Sequence, residues 1–349
     1  MIYASFGKNR RHGAMTKMGD LTKEANQSGK ERDAVTIVEI SPRDGLPEVC
    51  PGSPMAEKIM YINKLSETGL EKIECVSFVH PSFLPEGYDA ERLIAGLIKS
   101  PDVIYVGLVP NEIGCRRAVI TRIDEILVLL SASDTFNKIN LGRTLRESLN
   151  KMLPAVLDAA MQNSRTVRIY LMTAFGCPYT GEISTEEITR LVLKLSYMGA
   201  SEIVLVDSTG MANPESVKSK VTALLDMQPG TRLAVHFHNT RGTAIANCVA
   251  AYEAGIRIFD ASLGGMSATP YGAVRQEIGY WNVPTEDLVH LFEEMGIKTG
   301  IDLDKLLDCV RLAEKMAGMT LPGHLLRAGR ASQRVEIPPY LSVKRVIDH

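Results

Sequence analysis

The chain has 349 residues, enough for one large domain or two ordinary ones, and is 45% hydrophobic and 23% charged with a mean hydropathy near zero. A formal net charge of -2, few aromatic residues and no basic stripe argue against a nucleic-acid-binding protein. No apolar run approaches the roughly 18 residues of a membrane span. The six scattered cysteines form no C-x-x-C pair, which favours a reducing compartment and a cytoplasmic location.

Residues 1–34 differ from the rest of the chain, being polar and without apolar periodicity. The first acidic residue, Asp20, is preceded by four basic ones, Lys8, Arg10, Arg11 and Lys17. We expect a disordered or variable arm, or a true start at Met15 or Met18. A faint likeness to an organelle transit peptide makes a mitochondrial location the alternative to the cytoplasm.

From residue 35 onward, short apolar runs alternate with longer amphipathic stretches. The runs are nearly continuous in hydrophobic residues, as in strands that are buried on both faces. There are eight of them: VTIVEIS (35–41), KIECVSFV (72–79), VIYVGLV (103–109), EILVLLSAS (125–133), VRIYLMTAF (167–175), EIVLVDST (202–209), LAVHFHNT (233–240) and RIFDASLGG (257–265).

The stretches between the runs have helical periodicity. One example, STEEITRLVLKLSYMG, opens with the capping-box pattern of Ser184 and Glu187 and ends on Gly199. Because parallel strands need crossover connections, this alternation predicts a parallel sheet, and eight strands predict a (β/α)₈ (TIM) barrel. The alternative, a doubly wound sheet, usually has a glycine-rich turn after its first strand, where this chain has SPRDGLPEV.

Two further helices follow the eighth strand, TEDLVHLFEEMG and DLDKLLDCVRLAEKMAG, within residues 285–318. They are too long for one crossover and predict extra C-terminal helices beside the barrel. The expected organisation is therefore an arm over residues 1–34, a catalytic barrel with its C-terminal helices over 35–322, and an irregular tail over 323–349.

Several strands end on polar residues that a packed core would not select. They are Arg43 and Asp44 after the first strand, Glu74 in the second, Asp207 on the sixth, His236 and His238 on the seventh, and Asp260 on the eighth. Active sites of such barrels lie at the carboxyl ends of the strands, so these side chains are the candidates for function.

The two histidines stand at positions i and i+2 of one strand and should therefore project to the same side. With Asp44, expected on a neighbouring first strand, they offer two nitrogens and one oxygen to Mg²⁺, Mn²⁺, Fe²⁺ or Zn²⁺. Arg43 is interpreted as a cation that stabilises a developing enolate, or else as a salt-bridged plug. Glu74 and Asp207 either act in the site or pair with nearby cations and orient a histidine.

The sequence resembles the 3-hydroxy-3-methylglutaryl-CoA lyase family of metal-dependent barrel lyases. The resemblance covers roughly residues 36–300 and rests on blocks in the family's order: VEISPRDGL, IECVSFVHP, LVPNEIG, SASDTFNKIN, FGCPYTGEIS, VDSTGMANP, LAVHFHNTRG, FDASLGG and NVPTEDLV. It implies a retro-Claisen cleavage of a 3-hydroxyacyl-CoA to a ketone and the enolate of acetyl-CoA, which an acid then protonates.

The resemblance also implies roles for individual residues. Asp44, His236 and His238 would bind Mg²⁺ or Mn²⁺, with Asn282 as a fourth ligand. Arg43 would stabilise the enolate, while Glu74 and Asp207 would help proton transfer or orientation. The implied partner is a small acyl-CoA substrate; a homodimer stays open, since no motif indicates the oligomeric state.

The chain departs from the family where the catalytic cysteine is expected. It reads Gly264-Gly265-Met266-Ser267-Ala268-Thr269-Pro270-Tyr271, and Thr269 replaces the cysteine. A hydroxyl is a much weaker acid than a thiol, so water, Ser267 or Tyr271 would have to return the proton, or the substrate has changed. Alternatives on the same site are a 2-oxo-acid aldolase, a Claisen-type acyl-CoA synthase and a catalytically quiet paralogue.

Overall fold

Each apolar run forms one β-strand in the computed structural model, which describes residues 34–80, 82, 89–267 and 281–334. Seven of the eight strands end before their runs do, and the residues that follow, such as Thr173 and His238, are buried in loops. The bounds are β1 Thr36–Glu39, β2 Lys72–Ser77, β3 Ile104–Val109, β4 Glu125–Ser131, β5 Thr166–Met172, β6 Glu202–Asp207, β7 Arg232–Phe237 and β8 Ile258–Ala261.

The strands pair in chain order to make a closed parallel ring. Closure is made by β1 and β8, with Thr36 opposite Ile258 and Glu39 opposite Ala261. The predicted (β/α)₈ barrel is confirmed, and the ring excludes the doubly wound alternative. The register shifts between Glu74 and Val76 where β2 pairs with β3, a bulge of the kind that redirects a side chain near a site.

Helices lie in the connections between consecutive strands, and three more follow β8. Their bounds are α1 Leu46–Val49, α2 Met55–Leu65, α3 Ala90–Gly96, α4 Glu112–Val119, α5 Asp134–Leu141, α6 Leu145–Glu147, α7 Leu153–Met161, α8 Thr185–Tyr197, α9 Pro214–Asp226, α10 Ala244–Ala254, α11 Thr285–Glu294, α12 Leu303–Ala317 and α13 Leu325–Ala328. A π-helical turn, Ser148–Met152, joins α6 to α7, and a 3₁₀ turn, Leu263–Gly265, follows β8. Across the described part of the chain, no helix is long and apolar enough to cross a membrane.

The helix whose two ends are best predicted from the sequence is α8. The Ser184 hydroxyl accepts a hydrogen bond from the backbone N–H of Glu187 at 3.2 Å, as the capping pattern predicted. Gly199 follows the helix at a φ of 102°, a conformation that costs glycine little.

The extra C-terminal helices are α11 and α12, which pack against each other, with α12 also against α2. The chain before β1 joins this end of the molecule, since the N–H of Val35 donates to the carbonyl of Lys298 at 2.9 Å. The structure describes residues 323–334 of the predicted tail. In this part Leu325–Ala328 form a turn of helix, and the N–H groups of His324 and Leu325 donate to the carboxylate of Asp287.

Two buried carboxyl groups hold the 3₁₀ turn that follows β8. Glu39 accepts backbone hydrogen bonds from Ser41 and Leu263 at 2.8 and 3.0 Å, and the Thr285 hydroxyl at 2.7 Å. Glu286 accepts the N–H of Gly264 at 2.9 Å, while its other oxygen is buried without a partner among the described residues. Burial raises the pKa of Glu39, and it raises that of Glu286 to about 8.

Glu286 should make the protein less stable as pH rises toward 8. Its folded-state pKa of about 8 lies above the unfolded value of 4.5, so folding takes up a proton between these limits. The free energy of unfolding should therefore fall by about 1.4 kcal/mol per pH unit in this window from this one group. We expect Glu286→Gln, which mimics the protonated acid, to reduce that slope in urea unfolding between pH 5.5 and 8, whereas the exposed Glu294→Gln keeps it. An unchanged slope in Glu286→Gln would contradict the assignment.

Candidate active site

The histidine pair lies at the carboxyl end of β7. His236 is in the strand, and His238 is the first residue after the strand ends. Their rings stack with centroids 5.0 Å apart and an interplanar angle of 23°, so the two side chains do project to one side. Both are almost fully buried.

Asp44 reaches the histidines from the turn that follows β1. The ring places β8 between β7 and β1, so the expectation that Asp44 comes from a strand next to the histidines is wrong. Asp44 nevertheless joins them: one ligand atom from each of Asp44, His236 and His238 lies within 4.8 Å of the others, a possible metal site. Its turn, rather than strand pairing, bridges the gap.

Asn282 lies between the same groups. Its amide nitrogen donates to Asp44 Oδ2 and to the carbonyl of Met266, both at 2.9 Å, which fixes the orientation of the amide. Its Oδ1 therefore faces Nε2 of His236 at 2.9 Å. The backbone adds a bridge between His238 and Asn282.

The charge states of these groups suit metal ligation. Burial opposes the charge of Asp44, but Arg43 beside it holds its pKa below the usual value, so it is a carboxylate. Burial, with His236 beside it, lowers the pKa of His238 to about 3, so its ring is neutral at physiological pH. The Nδ1 atom of His238 is buried and makes no hydrogen bond with any described residue.

Arg43 lies beside Asp44 and is anchored from behind by Glu74. Its Nε donates to Glu74 Oε2 at 2.9 Å, and Nη2 contacts the same oxygen. Its Nη1 is 3.4 Å from Asp44 Oδ1. Burial opposes the charge of Arg43, but Glu74 and Asp44 raise its pKa, so the guanidinium is retained next to the carboxylate.

Glu74 makes too many fixed contacts to move freely. Besides Arg43, its carboxylate accepts from Arg168 Nη1 at 2.6 Å and lies 2.8 Å from the hydroxyl of Tyr170. Of the two roles considered for Glu74, pairing with cations therefore fits better than proton transfer.

Arg168 and Tyr170, both on β5, were missed as site residues, and Asp260 was noted without a role. Arg168 is fully buried and pairs with Glu74, Glu202 and Asp260. Asp260 Oδ2 lies 2.5 Å from the Tyr170 hydroxyl and 3.5 Å from His236 Nδ1. An arginine two residues before a tyrosine inside a buried strand was the signal available in the sequence.

Asp207, at the end of β6, is fully buried and accepts the backbone N–H groups of Met211 and Ala212 at 2.7 and 3.0 Å. These bonds shape the loop after β6. Burial outweighs them and raises the pKa of Asp207 to about 6. Its carboxyl group therefore titrates closer to neutral pH than an ordinary aspartate.

The segment after β8 approaches the Arg-Asp-Gly turn closely. Gly45 has a φ of 124°, and a Cβ there would lie 2.7 Å from the backbone nitrogen of Ser267. Ser267 is buried next to this turn. Thr269 and Tyr271, the other two residues assigned to this loop, lie outside the described residues.

A family model described as HMGL-like matches residues 34–313. The chain belongs to the HMGL-like family. It is 41% identical to the hydroxymethylglutaryl-CoA lyase YngG of Bacillus subtilis, over 85% of this chain and 98% of the relative. It is 35% identical to the (R)-citramalyl-CoA lyase of Chloroflexus aurantiacus, over 89% of this chain and all of that protein.

Solved structures agree with this assignment. An HMG-CoA lyase from Acinetobacter baumannii, in complex with coenzyme A and 3-methylmalate, superposes with a TM-score of 0.82 at 40% identity, covering 88% of this chain and 99% of that one. The predicted family is confirmed, and so is the enzyme class, because the named relatives are carbon–carbon lyases.

The grouping of Asp44 with the histidines leads to a binding prediction. We expect Asp44→Asn and His236→Ala each to weaken Mn²⁺ binding in calorimetry by more than the roughly 10- to 100-fold that loss of a group orienting a ligand costs. His324→Ala, which removes a histidine whose side chain is 84% exposed, is the matched control and should leave the affinity unchanged. Equal affinities in all four proteins would refute the site.

Proposed function

We propose that this chain is a metal-dependent lyase that cleaves 3-hydroxy-3-methylglutaryl-CoA, or a close 3-hydroxyacyl-CoA, to acetyl-CoA and a keto acid. The observation that carries the proposal is the convergence of Asp44, His236 and His238 beside Arg43 at the mouth of a barrel of this family. Two imidazoles and a carboxylate supply ligands, and the guanidinium supplies a fixed positive charge where an enolate would form.

The hydrogen bonding around His236 supports a cation at this point. Asp260 is an anion next to Nδ1, since Arg168 and His236 overcome the effect of burial and lower its pKa to about 2. Nε2 of His236 lies 2.9 Å from Asn282 Oδ1, and the amide nitrogen of Asn282 donates to Asp44. Imidazole nitrogens with carboxylate and amide oxygens are ligands that divalent cations accept, so His236, His238, Asp44 and Asn282 would hold the ion.

The charge count of the barrel interior points the same way. Ion pairs connect the predicted ligand Asp44 to a buried network of five carboxylates and three cations: Asp44, Glu74, Glu125, Glu202 and Asp260 with Arg43, Lys72 and Arg168. Arg232 reaches Glu202 from a position that is 60% exposed. With Arg232 counted, five carboxylates pair with four cations, and the one negative charge left over favours a cation beside Asp44. Among such ions we propose Mg²⁺ or Mn²⁺.

The reaction breaks the bond between C2 and C3 of the substrate. When bound, the metal ion lowers the pKa of the C3 hydroxyl. A base takes the hydroxyl proton, C3 becomes a ketone carbon, and the electron pair of the broken bond passes into the acetyl-CoA enolate. Arg43 is placed to donate to the thioester oxygen as its negative charge develops. Asp207, with a pKa of about 6, fits proton transfer at neutral pH.

The enolate carbon must then regain a proton, and here the chain lacks the usual thiol. Thr269 stands where the family has its cysteine, so we propose water, Ser267 or Tyr271 as the acid. The substituted loop also makes the acyl chain a question of its own. A citramalyl-CoA type of substrate is the second candidate, because the chain matches a citramalyl-CoA lyase over that protein's full length.

The compartment and assembly are part of the same proposal. All six cysteines are free and buried, which is compatible with the cytoplasm proposed from the sequence. A homodimer stays a prediction.

A substrate panel tests the proposal directly. Purified protein with Mg²⁺ or Mn²⁺ should release acetyl-CoA from hydroxymethylglutaryl-CoA with acetoacetate, or from citramalyl-CoA with pyruvate. Thr269→Cys should raise kcat if the acid was simply lost, since a thiol near pKa 8.5 is a far stronger acid than a hydroxyl. Thr269→Ser is the control for size and polarity. No acetyl-CoA from either thioester at any pH, with Mn²⁺ still bound, would refute the lyase assignment.

Arg43 should be needed for turnover and not for metal binding. We expect Arg43→Gln to lower kcat by roughly 100- to 1000-fold, the usual cost of losing a group that stabilises an oxyanion. Mn²⁺ affinity should not fall, because the substitution removes a positive charge beside Asp44. The exposed Arg116→Gln serves as control. A loss of Mn²⁺ binding in Arg43→Gln would place the arginine among the groups that build the metal site.

A further inference from the structure

Arg168 lies in the barrel interior, below the candidate site, and none of its surface is exposed. Its three guanidinium nitrogens each face a different carboxylate. Nε is 2.5 Å from Glu202, Nη1 is 2.6 Å from Glu74, and Nη2 contacts Asp260. Because the guanidinium is planar and rigid, these three carboxylates are fixed relative to one another.

Two of those carboxylates hold groups of the active site. Glu74 accepts hydrogen bonds from two nitrogen atoms of the Arg43 guanidinium. Asp260 lies 3.5 Å from His236 Nδ1. Arg43 would stabilise the enolate, and His236 would bind the metal ion. Each is therefore held by a carboxylate that pairs with Arg168.

Tyr170 reinforces the same arrangement. It stands two residues after Arg168 on β5 and so points into the barrel one layer higher. Its hydroxyl lies 2.8 Å from Glu74 and 2.5 Å from Asp260, between the same two carboxylates, and 3.4 Å from His236 Nδ1. It carries a single proton, so it cannot replace the cation that holds both carboxylates together.

We propose that Arg168 is a positioning residue that couples the two halves of the site: through Glu74 it sets the place of Arg43, and through Asp260 it sets the ring of His236. Among the described residues, no hydrogen bond or ion pair joins Arg168 to the predicted metal ligands or to Arg43, so it acts through the groups that it holds in place. The part of the proposal that concerns turnover rests on the proposed lyase function, whereas the part that concerns metal binding does not.

Arg168→Lys is the informative variant, because it keeps the buried positive charge but loses the planar group that bonds to three carboxylates at once. We expect the dissociation constant of Mn²⁺ to rise and kcat to fall, each by about 10- to 100-fold, as when groups that orient metal ligands are lost. KM should change little. A change in only one of the two quantities would overturn the proposed coupling.

The matched control is Tyr105→Phe, which removes a buried hydroxyl next to the end of α2. Tyr105 is 1% exposed, and its hydroxyl donates to Ser66 Oγ and accepts the backbone N–H of Ser100, both at 2.9 Å. Among the described residues, no side-chain hydrogen bond or ion pair links it to Glu74, Glu202 or Asp260. We expect thermal unfolding to show a similar loss of stability in both variants, with Mn²⁺ affinity and kcat altered only in Arg168→Lys. Equal losses of affinity and kcat in the control would show that the effect is general destabilisation.

Double-mutant cycles separate the effect of Arg168 through Glu74 from its effect through Asp260. In an Asp260→Asn background, Arg168→Lys should have almost no further effect on Mn²⁺ affinity, while in a Glu74→Gln background it should still weaken Mn²⁺ binding but lower kcat no further. Additive effects in both backgrounds would refute the proposal. If the wild-type protein cleaves no thioester, the lyase function fails, and the Mn²⁺ cycle alone then decides the role of Arg168.

Discussion

Burying Arg168 in the middle of a barrel is the constraint on which the arrangement of the site depends. A guanidinium that water cannot reach needs carboxylate partners for its N–H groups. Removing any of these partners would leave an uncompensated buried charge. Glu74, Glu202 and Asp260 meet that need from three different strands. Their positions then determine where Arg43 and His236 can lie. Such a network contributes little net stability, but it allows very few alternative geometries.

Most of the fold could be predicted from the sequence because it follows from local patterns. Strands buried on both faces read as unbroken apolar runs, and capping residues such as Ser184 mark helix starts. The pairing of His236 with His238 also follows from strand alternation alone. The position of Asp44 did not. The predicted ring of eight strands already places β8 between β7 and β1, and the apolar pattern does not show that the turn after β1 covers that distance. Asn282 came only from the resemblance, since no periodicity distinguishes it from other loop residues.

Arg168 and Tyr170 show a different limit. Each sits in an apolar run that reads correctly as a strand, and what was missed is that their partners come from β2, β6 and β8. Contacts between distant strands depend on barrel stagger, which a single sequence does not specify. Glu74 and Asp260 were recognised as unusual for the same physical reason, a charge in a buried strand, but their partners could not be assigned.

The turn of Asp44 and the segment of Asn282 meet only after β8 has closed against β1, although 238 residues separate them in the chain. A chain that is still being synthesised, or one that has lost its C-terminal third, has no such meeting point. The predicted ligand set is therefore complete only in a chain whose barrel has closed. An affinity for divalent cations would accordingly indicate that the ring is complete. A cation bound there would also stabilise the pairing of β1 with β8.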